Sequence, residues 1–230
     1  MSSCEALERA TLVAYFKFDS LSPYTDSGPN SVATTFSNTS IISGYRNQAI
    51  SFVSALSSYF QASGFTSLGI SNQAFSISLW IQPQTLSGTL VHLSSSVAGT
   101  GSTCFPLLGF TANGSIVAQV MLNNGSVVTA TGPVFSVSSS WIPIVQTWST
   151  ASGLKLYVNN TLVSSVAASS FLGSGTTPNY VTLGGCLSGC GTCSNGAVNP
   201  AGAFSGTVDE WRIYSRVLNS TDICTLFYNV

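Results

Sequence analysis

Hydrophobic and polar residues alternate along much of this chain. Residues 75–82 show the pattern most clearly, because an apolar side chain occupies every second position from Phe75 to Ile81. Alternation with a period of two places successive side chains on opposite faces of a β-strand. Seven further segments alternate in the same way, namely residues 11–18, 115–122, 141–148, 154–158, 162–166, 180–183 and 207–214.

Turn residues separate several of these segments. Three pairs stand out, Asn113-Gly114, Asn124-Gly125 and Asn159-Asn160. Asn and Gly accept the positive φ that tight hairpins require, so each pair predicts a β-hairpin. The C-terminus differs, because residues 219–222 form a helix-capping cluster ahead of spaced apolar residues. This pattern predicts one short C-terminal helix.

Many short strands with a single helix predict an all-β sandwich or barrel rather than a βαβ fold. No charge shift or Pro-rich linker divides the 230 residues. We therefore expect one domain at residues 11–230, preceded by an N-terminal arm at residues 1–10. The longest irregular stretch, residues 184–203, is rich in Gly and Cys and would need cross-links to hold its shape.

Composition narrows the possible partners. Charged residues make up 6% of the chain, against roughly 25% in ordinary globular proteins. No window approaches the ~20 consecutive apolar residues of a spanning helix, so we expect no membrane insertion. Nucleic acid is excluded as a partner because six Lys plus Arg cannot form a basic patch. Little charge repulsion would oppose association, so attached glycans or burial in an assembly would have to protect the neutral surface.

Five N-x-[ST] sequons predict N-glycosylation. Their asparagines are Asn38, Asn113, Asn124, Asn159 and Asn219. A chain this rich in Asn, Ser and Thr also forms sequons by chance. Four of the five, however, fall at predicted turns or just before the predicted helix, where a glycan could point into solvent.

Cysteine usage indicates an oxidising compartment. The even set Cys4, Cys104, Cys186, Cys190, Cys193 and Cys224 suits a disulfide framework. A zinc site at the clustered cysteines is the alternative, but His92, the single histidine, lies in an apolar strand. We expect a secreted, extracellular protein. Residues 1–9 lack the apolar segment of a signal peptide, which leaves open a processed chain, a piece of a longer protein, or another compartment.

Four segments carry a resemblance to a known family. Residues 12–19, followed by Asp26-Ser27-Gly28-Pro29-Asn30, resemble the opening of laminin-G-like domains of the concanavalin A-like lectin/glucanase superfamily. Residues 75–81 resemble their central strand with its tryptophan, and residues 153–159 resemble a family hairpin, with Asn160 where glycine is usual. Residues 206–218 match the closing signature G-x-[IV]-D-E-x-R-[IV]-Y-x-R-x-L. Together they cover about residues 11–229 in the family's order.

The resemblance implies a two-sheet antiparallel jelly-roll sandwich with adjacent chain ends. Adjacent ends imply a Cys4–Cys224 bridge, and of the three pairings left to the other cysteines we favour Cys104–Cys193 with Cys186–Cys190. The family also places a structural calcium ion at the positions of Asp19 and Asp209. Calcium takes six to eight oxygen ligands, so carbonyl groups and water would have to complete the shell. The alternative is that both aspartates serve turns and ion pairs.

Catalysis is not expected, although the superfamily includes glycanases. Retaining hydrolysis needs two carboxyl groups about 5 Å apart, which the family's glucanases supply from an E-x-D-x-x-E strand. The glutamates of this chain are Glu5, Glu8 and Glu210, and that motif does not occur. Asp209 and Glu210 are adjacent, so on a regular strand they would point to opposite faces. His92 has no acid close in sequence with which to form a triad.

Two functions remain after these exclusions. The first is a structural extracellular subunit that packs against copies of itself through its neutral surface, and the low charge favours it. The second is a lectin-like adhesion module that binds carbohydrate or protein. Tryptophans that could stack on sugars are Trp80, Trp141, Trp148 and Trp211, although strand tryptophans are more often core residues. Fold alone does not decide between the two functions.

Overall fold

The computed structural model describes residues 11–175 and 179–228, and within these ranges fifteen strands form two antiparallel sheets. The first strands are β1 (Leu12–Phe16), β2 (Ala33–Ser37), β3 (Thr39–Ser43), β4 (Gln48–Phe52), β5 (Tyr59–Ser63), β6 (Phe75–Pro83), β7 (Thr89–Ser94) and β8 (Cys104–Phe110). The others are β9 (Ser115–Met121), β10 (Val127–Val134), β11 (Ile142–Ser149), β12 (Gly153–Val158), β13 (Thr161–Val166), β14 (Tyr180–Leu183) and β15 (Gly206–Tyr214). Two short helices are α1 (Thr66–Gly69) and α2 (Ser220–Tyr228), and Leu187–Gly191 forms a 3-10 helix. The predicted arm at residues 1–10 lies outside the described residues.

The two sheets form the predicted jelly-roll sandwich. Sheet A has the order β13-β12-β11-β6-β15-β4-β3, and β1 pairs with β15 beside β4. Sheet B has the order β10-β9-β8-β7-β14-β5-β2. Strands that are distant in sequence therefore lie side by side, and the first and last strands, β1 and β15, are hydrogen-bonded neighbours.

The core between the sheets uses the alternation seen in the sequence. On β6, Phe75, Ile77 and Ile81 are fully buried, while Trp80 and Gln82 face the other side. Aliphatic and aromatic side chains from both sheets fill this layer, and their removal from water is the main favourable term in folding.

The hairpins and the helix predicted from the sequence are confirmed. The three asparagine-containing pairs form the turns between β8 and β9, between β9 and β10, and between β12 and β13. Residues with positive φ occupy all three, including Gly114 and Asn160. Helix α2 begins with a reciprocal cap, because Asn219 Oδ1 accepts from the Asp222 N–H and Asp222 Oδ2 accepts from the Asn219 N–H.

A second apolar cluster lies on the outer face of sheet A. Helix α2 packs there through Ile223 and Phe227, which contact a group that includes Tyr214 on β15. The helix covers only part of the face, and Trp141 and Tyr157 remain partly exposed beside it. No helix in the described part of the chain is long and apolar enough to cross a membrane.

Residues 184–203 cover the outer face of sheet B and are held there by cross-links. The disulfides Cys104–Cys193 and Cys186–Cys190 are the pairing favoured from the sequence. Buried Gln119 on β9 fixes the same segment, because its amide donates to Asn195 O and accepts from the Ala197 N–H. The remaining predicted bridge, Cys4–Cys224, involves Cys4, which lies outside the described residues, and exposed Cys224 has no disulfide partner within them.

Candidate functional site

The closing signature of the sequence forms a charged cluster on the outer face of sheet A. A β-bulge between Asp209 and Arg212 interrupts the pairing of β15 with β6, and Glu210 adopts a φ of 53° there. The bulge inserts one residue and turns the Glu210 carboxylate to the face that Arg212 and Tyr15 share. The expectation that Asp209 and Glu210 point to opposite faces, which assumed a regular strand, is therefore wrong.

Glu210 contacts three side chains of this cluster through one carboxylate oxygen. Its Oε2 lies 2.5 Å from the Arg212 guanidinium and accepts a 2.7 Å hydrogen bond from the Tyr15 hydroxyl. The Arg46 guanidinium lies 3.8 Å from the same oxygen. The Arg212 guanidinium also stacks over the Tyr15 ring, 3.9 Å from its centroid. A buried carboxylate that is paired with a guanidinium and a hydroxyl in this way is held as part of the fold.

Asp209 and Asp19 lie on either side of residues 46–48. Asp209 accepts from the Arg46 N–H at 2.9 Å, and Asp19 accepts from the Gln48 N–H at 3.3 Å. Burial raises the pKa of Asp209 to about 7, and the negative charges of Glu210 and Asp19 act in the same direction. The bond from the Arg46 N–H opposes part of this rise.

The fold therefore brings Asp19 and Asp209, the two residues of the predicted calcium position, close to each other. A shallow groove of about 490 Å³ borders it, and both Asp19 and Lys17 line this groove. Among the described residues, no group of three or more His, Cys, Asp or Glu side chains is arranged to hold a metal ion. Asp19 and Asp209 already accept backbone N–H groups, so a calcium ion would compete with these bonds. Calcium at this position stays a prediction.

His92 is a structural residue of sheet B. Its side chain is fully buried between β14 and β8, and Nε2 lies 2.7 Å from the Gly99 carbonyl oxygen. Burial lowers the pKa of His92 to about 4, so the ring is neutral at physiological pH. Among the described residues, no carboxylate contacts the ring, which leaves a hydrolytic triad without its acid.

The four candidate tryptophans have different environments. Trp148 and Trp211 are fully buried between the sheets and cannot meet a ligand. Trp80 is 9% exposed on the outer face of sheet A, where Tyr45 stacks on it with centroids 3.6 Å apart. Trp141, partly exposed at the edge of this stack, remains accessible for sugar stacking.

A second groove of about 490 Å³ opens at one end of the sandwich. Its lining comes from β1, the segment before β2, the α1 region, the start of β6 and the residue after β15. The lining residues are Val13, Asn30, Val32, Gly64, Thr66, Ser67, Ile70, Gln73 and Ser215. None of these described lining residues is charged. We call this site the neutral groove.

Hydrogen bonds around the neutral groove leave mainly acceptors free. Asn30 Nδ2 donates to Val13 O at 2.8 Å, and Gln73 Nε2 donates to Ser215 O at 3.4 Å. Because a carbonyl can only accept, these bonds fix the amide nitrogen as the donor, and each amide keeps its oxygen and one N–H for a ligand. The Ser67 hydroxyl oxygen is buried without a hydrogen-bond partner in the described structure. A buried hydroxyl without a partner costs free energy until a ligand or water satisfies it.

All five sequon asparagines are exposed. Two of them already make turn or cap bonds, and these bonds use the side-chain oxygen. Asn124 Oδ1 accepts from the Ser126 N–H, and Asn219 Oδ1 accepts from the Asp222 N–H. The Nδ2 atom that would carry a glycan is therefore free of these bonds at both positions, and glycosylation remains a prediction at all five.

Comparison with known families agrees with this architecture. The model of a laminin-G family in the concanavalin A-like lectin/glucanases superfamily matches residues 53–224. The chain belongs to this laminin-G-like family. The matched region includes the β15 bulge with Glu210 and Arg212, and both described disulfides. A comparison with curated protein sequences gives no match.

Solved structures share the laminin-G-like fold at low identity. The binding domain of Paraclostridial Mosquitocidal Protein 1 has a TM-score of 0.70 and 16% identity, covering 96% of this chain and 52% of that one. The binding domain of botulinum neurotoxin DC, in complex with rat synaptotagmin II, has a TM-score of 0.65 and 13% identity, with coverages of 96% and 53%. Domain 4 of an extracellular arabinanase from Geobacillus stearothermophilus, in complex with arabinotriose, has a TM-score of 0.59 and 19% identity, with coverages of 95% and 99%. The chain spans about half of each toxin domain and nearly all of the arabinanase domain.

Sequence reasoning did not find the neutral groove of this laminin-G-like domain. Its residues come from five separated segments, and each is a common type without a motif. Val13 lies in the predicted strand at residues 11–18, and Ser215 lies in the closing signature. No pattern in the sequence indicates that Ser67 would line the same groove. Only the folded arrangement shows a charge-free, acceptor-rich depression.

Proposed function

We propose that this domain is a non-catalytic extracellular recognition module that binds neutral glycans in the neutral groove. The observation that carries the proposal is the groove's chemistry, because its free side-chain groups are amide oxygens, single amide N–H groups and hydroxyls, and its lining has no charge among the described residues. Sugars present many hydroxyl donors, and the apolar side chains of Val13, Val32 and Ile70 suit the C–H face of a pyranose. Its volume falls within the ~300–1,000 Å³ of typical ligand pockets.

Structural neighbours add support at the level of a binding module. One neighbour was solved in complex with arabinotriose and another in complex with a protein, rat synaptotagmin II. Domains with the same fold therefore bind a sugar in one of these proteins and a protein in the other. The absence of charge in the neutral groove favours a neutral glycan over a charged peptide or a sialylated sugar.

Removal of the Ser67 hydroxyl tests the groove. Ser67→Ala deletes a buried group that makes no hydrogen bond within the described residues, so stability should be equal or higher while glycan affinity falls about ten-fold, the loss of one hydrogen bond of roughly 1.4 kcal/mol. Thr66→Lys should abolish binding by placing a charged chain in the groove. Ser165→Ala, on the exposed edge of β13, is the matched control and should bind like the wild type.

The measurement is a glycan array followed by titration calorimetry with the best neutral oligosaccharide. An array without neutral binders would contradict the proposal. So would binding that survives both Ser67→Ala and Thr66→Lys, because the ligand would then occupy another surface, such as that around Trp141.

Self-association as a structural subunit is the second candidate function. The supporting observation is the low charge, six Lys plus Arg and seven Asp plus Glu in 230 residues, which removes most electrostatic repulsion between copies. Sedimentation velocity at micromolar concentration, on protein freed of its N-glycans, tests it directly. A protein that binds glycans and stays monomeric without its own N-glycans would support the first function and exclude the second.

We also propose that the domain is secreted and N-glycosylated. Its described disulfides suit an oxidising compartment, and its five exposed sequon asparagines suit glycan attachment. Glycopeptide mass spectrometry of protein from a secreting eukaryotic host should find sugar at these sites. Free thiols at Cys104 and Cys193 with no attached sugar would contradict the compartment.

A further inference from the structure

Strand β3 is an unprotected edge of sheet A. It pairs with β4 on one side, and among the described strands none pairs with its other side. An edge strand presents unpaired backbone N–H and C=O groups, and natural proteins usually guard such edges with charged residues, proline or bulges. Residues 31–45 contain no charged residue and no proline. Its pairing with β4 runs without a bulge from Thr39 to Ser43.

The apolar side chains of β3 suit pairing with an identical strand. Ile41 faces the core opposite Ile50, and Ile42 faces outward opposite Ala49 with 41% of its surface exposed. In an antiparallel pair of two β3 strands centred on Ile41, the two Ile41 side chains would be cross-strand neighbours. Each Ile42 would then lie opposite Ser40 of the second copy. Such cross-strand contacts stabilise a sheet without any charge pairing.

The other sheet edges are less open to such pairing. Strand β2, the edge of sheet B on this side, is flanked by Tyr24, whose ring stacks on Phe36 at 3.5 Å and whose carbonyl accepts from the Thr34 hydroxyl at 2.7 Å. In the described structure Tyr24 touches β3 only at its first residue, where its hydroxyl lies 3.5 Å from the Thr39 hydroxyl. At the opposite side of the sandwich, β10 and β13 contact each other across the two sheets. Among these edges, β3 is therefore the one left free for a second chain.

Asn38 places a predicted glycan directly at this edge. It links β2 to β3, is exposed, and adopts a φ of 47°. Its side-chain Nδ2 donates a 3.4 Å hydrogen bond to the Ser57 hydroxyl, and a glycosylated amide keeps one N–H for that bond. In the pairing centred on Ile41, Asn38 would face Gly44 of the second copy. A sugar at Asn38 would occupy the space that the second chain needs.

We infer that β3 is the interface through which two copies of this chain join into one continuous sheet, and that a glycan on Asn38 blocks this association. The pairing is isologous, because the same strand serves both copies and the dimer closes. Removal of one sugar would thus convert a monomer into a dimer. This inference rests on the self-association proposed above and assigns it an interface and a control.

Sedimentation velocity of variants from a glycosylating host tests both parts. The wild type should be monomeric. Ser40→Ala removes the Asn38 sequon but keeps Asn38 and the strand. The weight-average molar mass of this variant should therefore be twice that of the wild type at micromolar concentration. The double variant Ser40→Ala/Ile42→Lys should return to a monomer, because the edge then carries a charge that faces its own copy. A non-reducing gel distinguishes this dimer from one linked through Cys224.

Leu162→Lys in the Ser40→Ala background is the matched control. Leu162 is 47% exposed on β13, the opposite edge of sheet A, so the variant adds the same charge at a similarly exposed position. It should remain a dimer. A dimer that Leu162→Lys breaks and Ile42→Lys preserves would leave self-association standing and overturn the β3 interface. Monomeric Ser40→Ala protein would overturn both, and a dimer of the fully glycosylated wild type would overturn the glycan's blocking role.

Discussion

The Tyr15 hydroxyl donates a 2.7 Å hydrogen bond to Glu210 Oε2, and so joins residues 195 positions apart on the first and last strands of the domain. Arg212 completes the arrangement by stacking on the Tyr15 ring and pairing with the same carboxylate. The motif that is most recognisable in the sequence is therefore a clamp between the two ends of the fold. The clamp joins β1 to β15 within sheet A. We expect ligand binding in the neutral groove instead.

Removal of Arg212 should strongly destabilise the domain. Arg212→Met leaves the buried Glu210 carboxylate without its main partner, which costs about 3–5 kcal/mol for a buried pair. Tyr15→Phe removes only a neutral donor to that carboxylate and should cost about 1.5–3 kcal/mol. Denaturant unfolding measures both. Arg216→Met, which breaks the more exposed pair with Asp222, should cost about 1 kcal/mol or less, and an equal loss in all three variants would contradict the clamp.

His92 should make the domain sensitive to acid. Its pKa falls from 6.5 in the unfolded chain to about 4 in the fold, so the unfolded state binds the extra proton first as the pH drops. The free energy of unfolding therefore has its full value, with respect to His92, above pH 6.5. It decreases by about 3 kcal/mol as the pH falls towards 4.

The substitution His92→Gln isolates this effect, because the Gln amide can still donate to Gly99 O. The stability of the wild type relative to His92→Gln should rise between pH 4 and pH 7 in denaturant titrations. Thr182→Ser, at the position paired with His92 on β14, has no titratable group, and its difference from the wild type should not vary with pH. A pH-independent difference for His92→Gln would show that burial does not depress the histidine pKa.

Asn219 has two separable roles, a helix cap and a predicted glycan site. Asn219→Ala should cost about 1 kcal/mol, because the first turn of α2 loses the bond to the Asp222 N–H. Thr221→Ala removes the sequon but leaves the cap. Thermal unfolding of protein from a bacterial host should therefore show a loss for Asn219→Ala alone, and equal losses would mean that the cap bond contributes nothing.

The two described disulfides should differ in their contribution to stability. Cys104–Cys193 joins residues 89 positions apart, and Cys186–Cys190 joins residues 4 apart. In the loop-entropy model the long loop is worth about 4–5 kcal/mol and the short loop about 2 kcal/mol. Paired Cys→Ser variants measured by denaturant unfolding should follow this order.

The predicted Cys4–Cys224 bridge can be tested by alkylation before reduction. A third bridge leaves all six cysteines unlabelled, whereas its absence allows Cys4 and exposed Cys224 to react. Peptide mass mapping distinguishes the two results.

Calcium at Asp19 and Asp209 is tested by thermal unfolding with calcium and with a chelator. A bound ion stabilises the folded state by mass action, so calcium should raise the Tm and Asp19→Asn should remove the rise. Magnesium, which demands a stricter octahedral oxygen shell, is the control and should have less effect. An unchanged Tm would contradict the family-derived metal position.

Local patterns predicted the strands in which apolar and polar side chains alternate. Strand β6 follows the predicted segment closely because every second residue from Phe75 to Ile81 faces the core while Ser76 and Ser78 lie on the other side, which is buried as well. Strand β7 was harder to recognise, since the cross-linked segment at residues 184–203 lies over its outer face and all six of its residues are buried. Strand β3 was missed for the opposite reason, because its Ser- and Thr-rich segment lies at a sheet edge where little is buried.

The sequence by itself determined the fold class, the hairpin turns, the C-terminal helix and the family, because alternation, turn residues and capping groups act over a few neighbouring positions. Only the tertiary structure decided what the charged signature does and where a ligand could bind. The bulge at Glu210 turns two adjacent carboxylates onto one face, and the neutral groove joins residues as distant as Val13 and Ser215. Both depend on strand register and on contacts between segments far apart in the chain, and no local pattern encodes those distances.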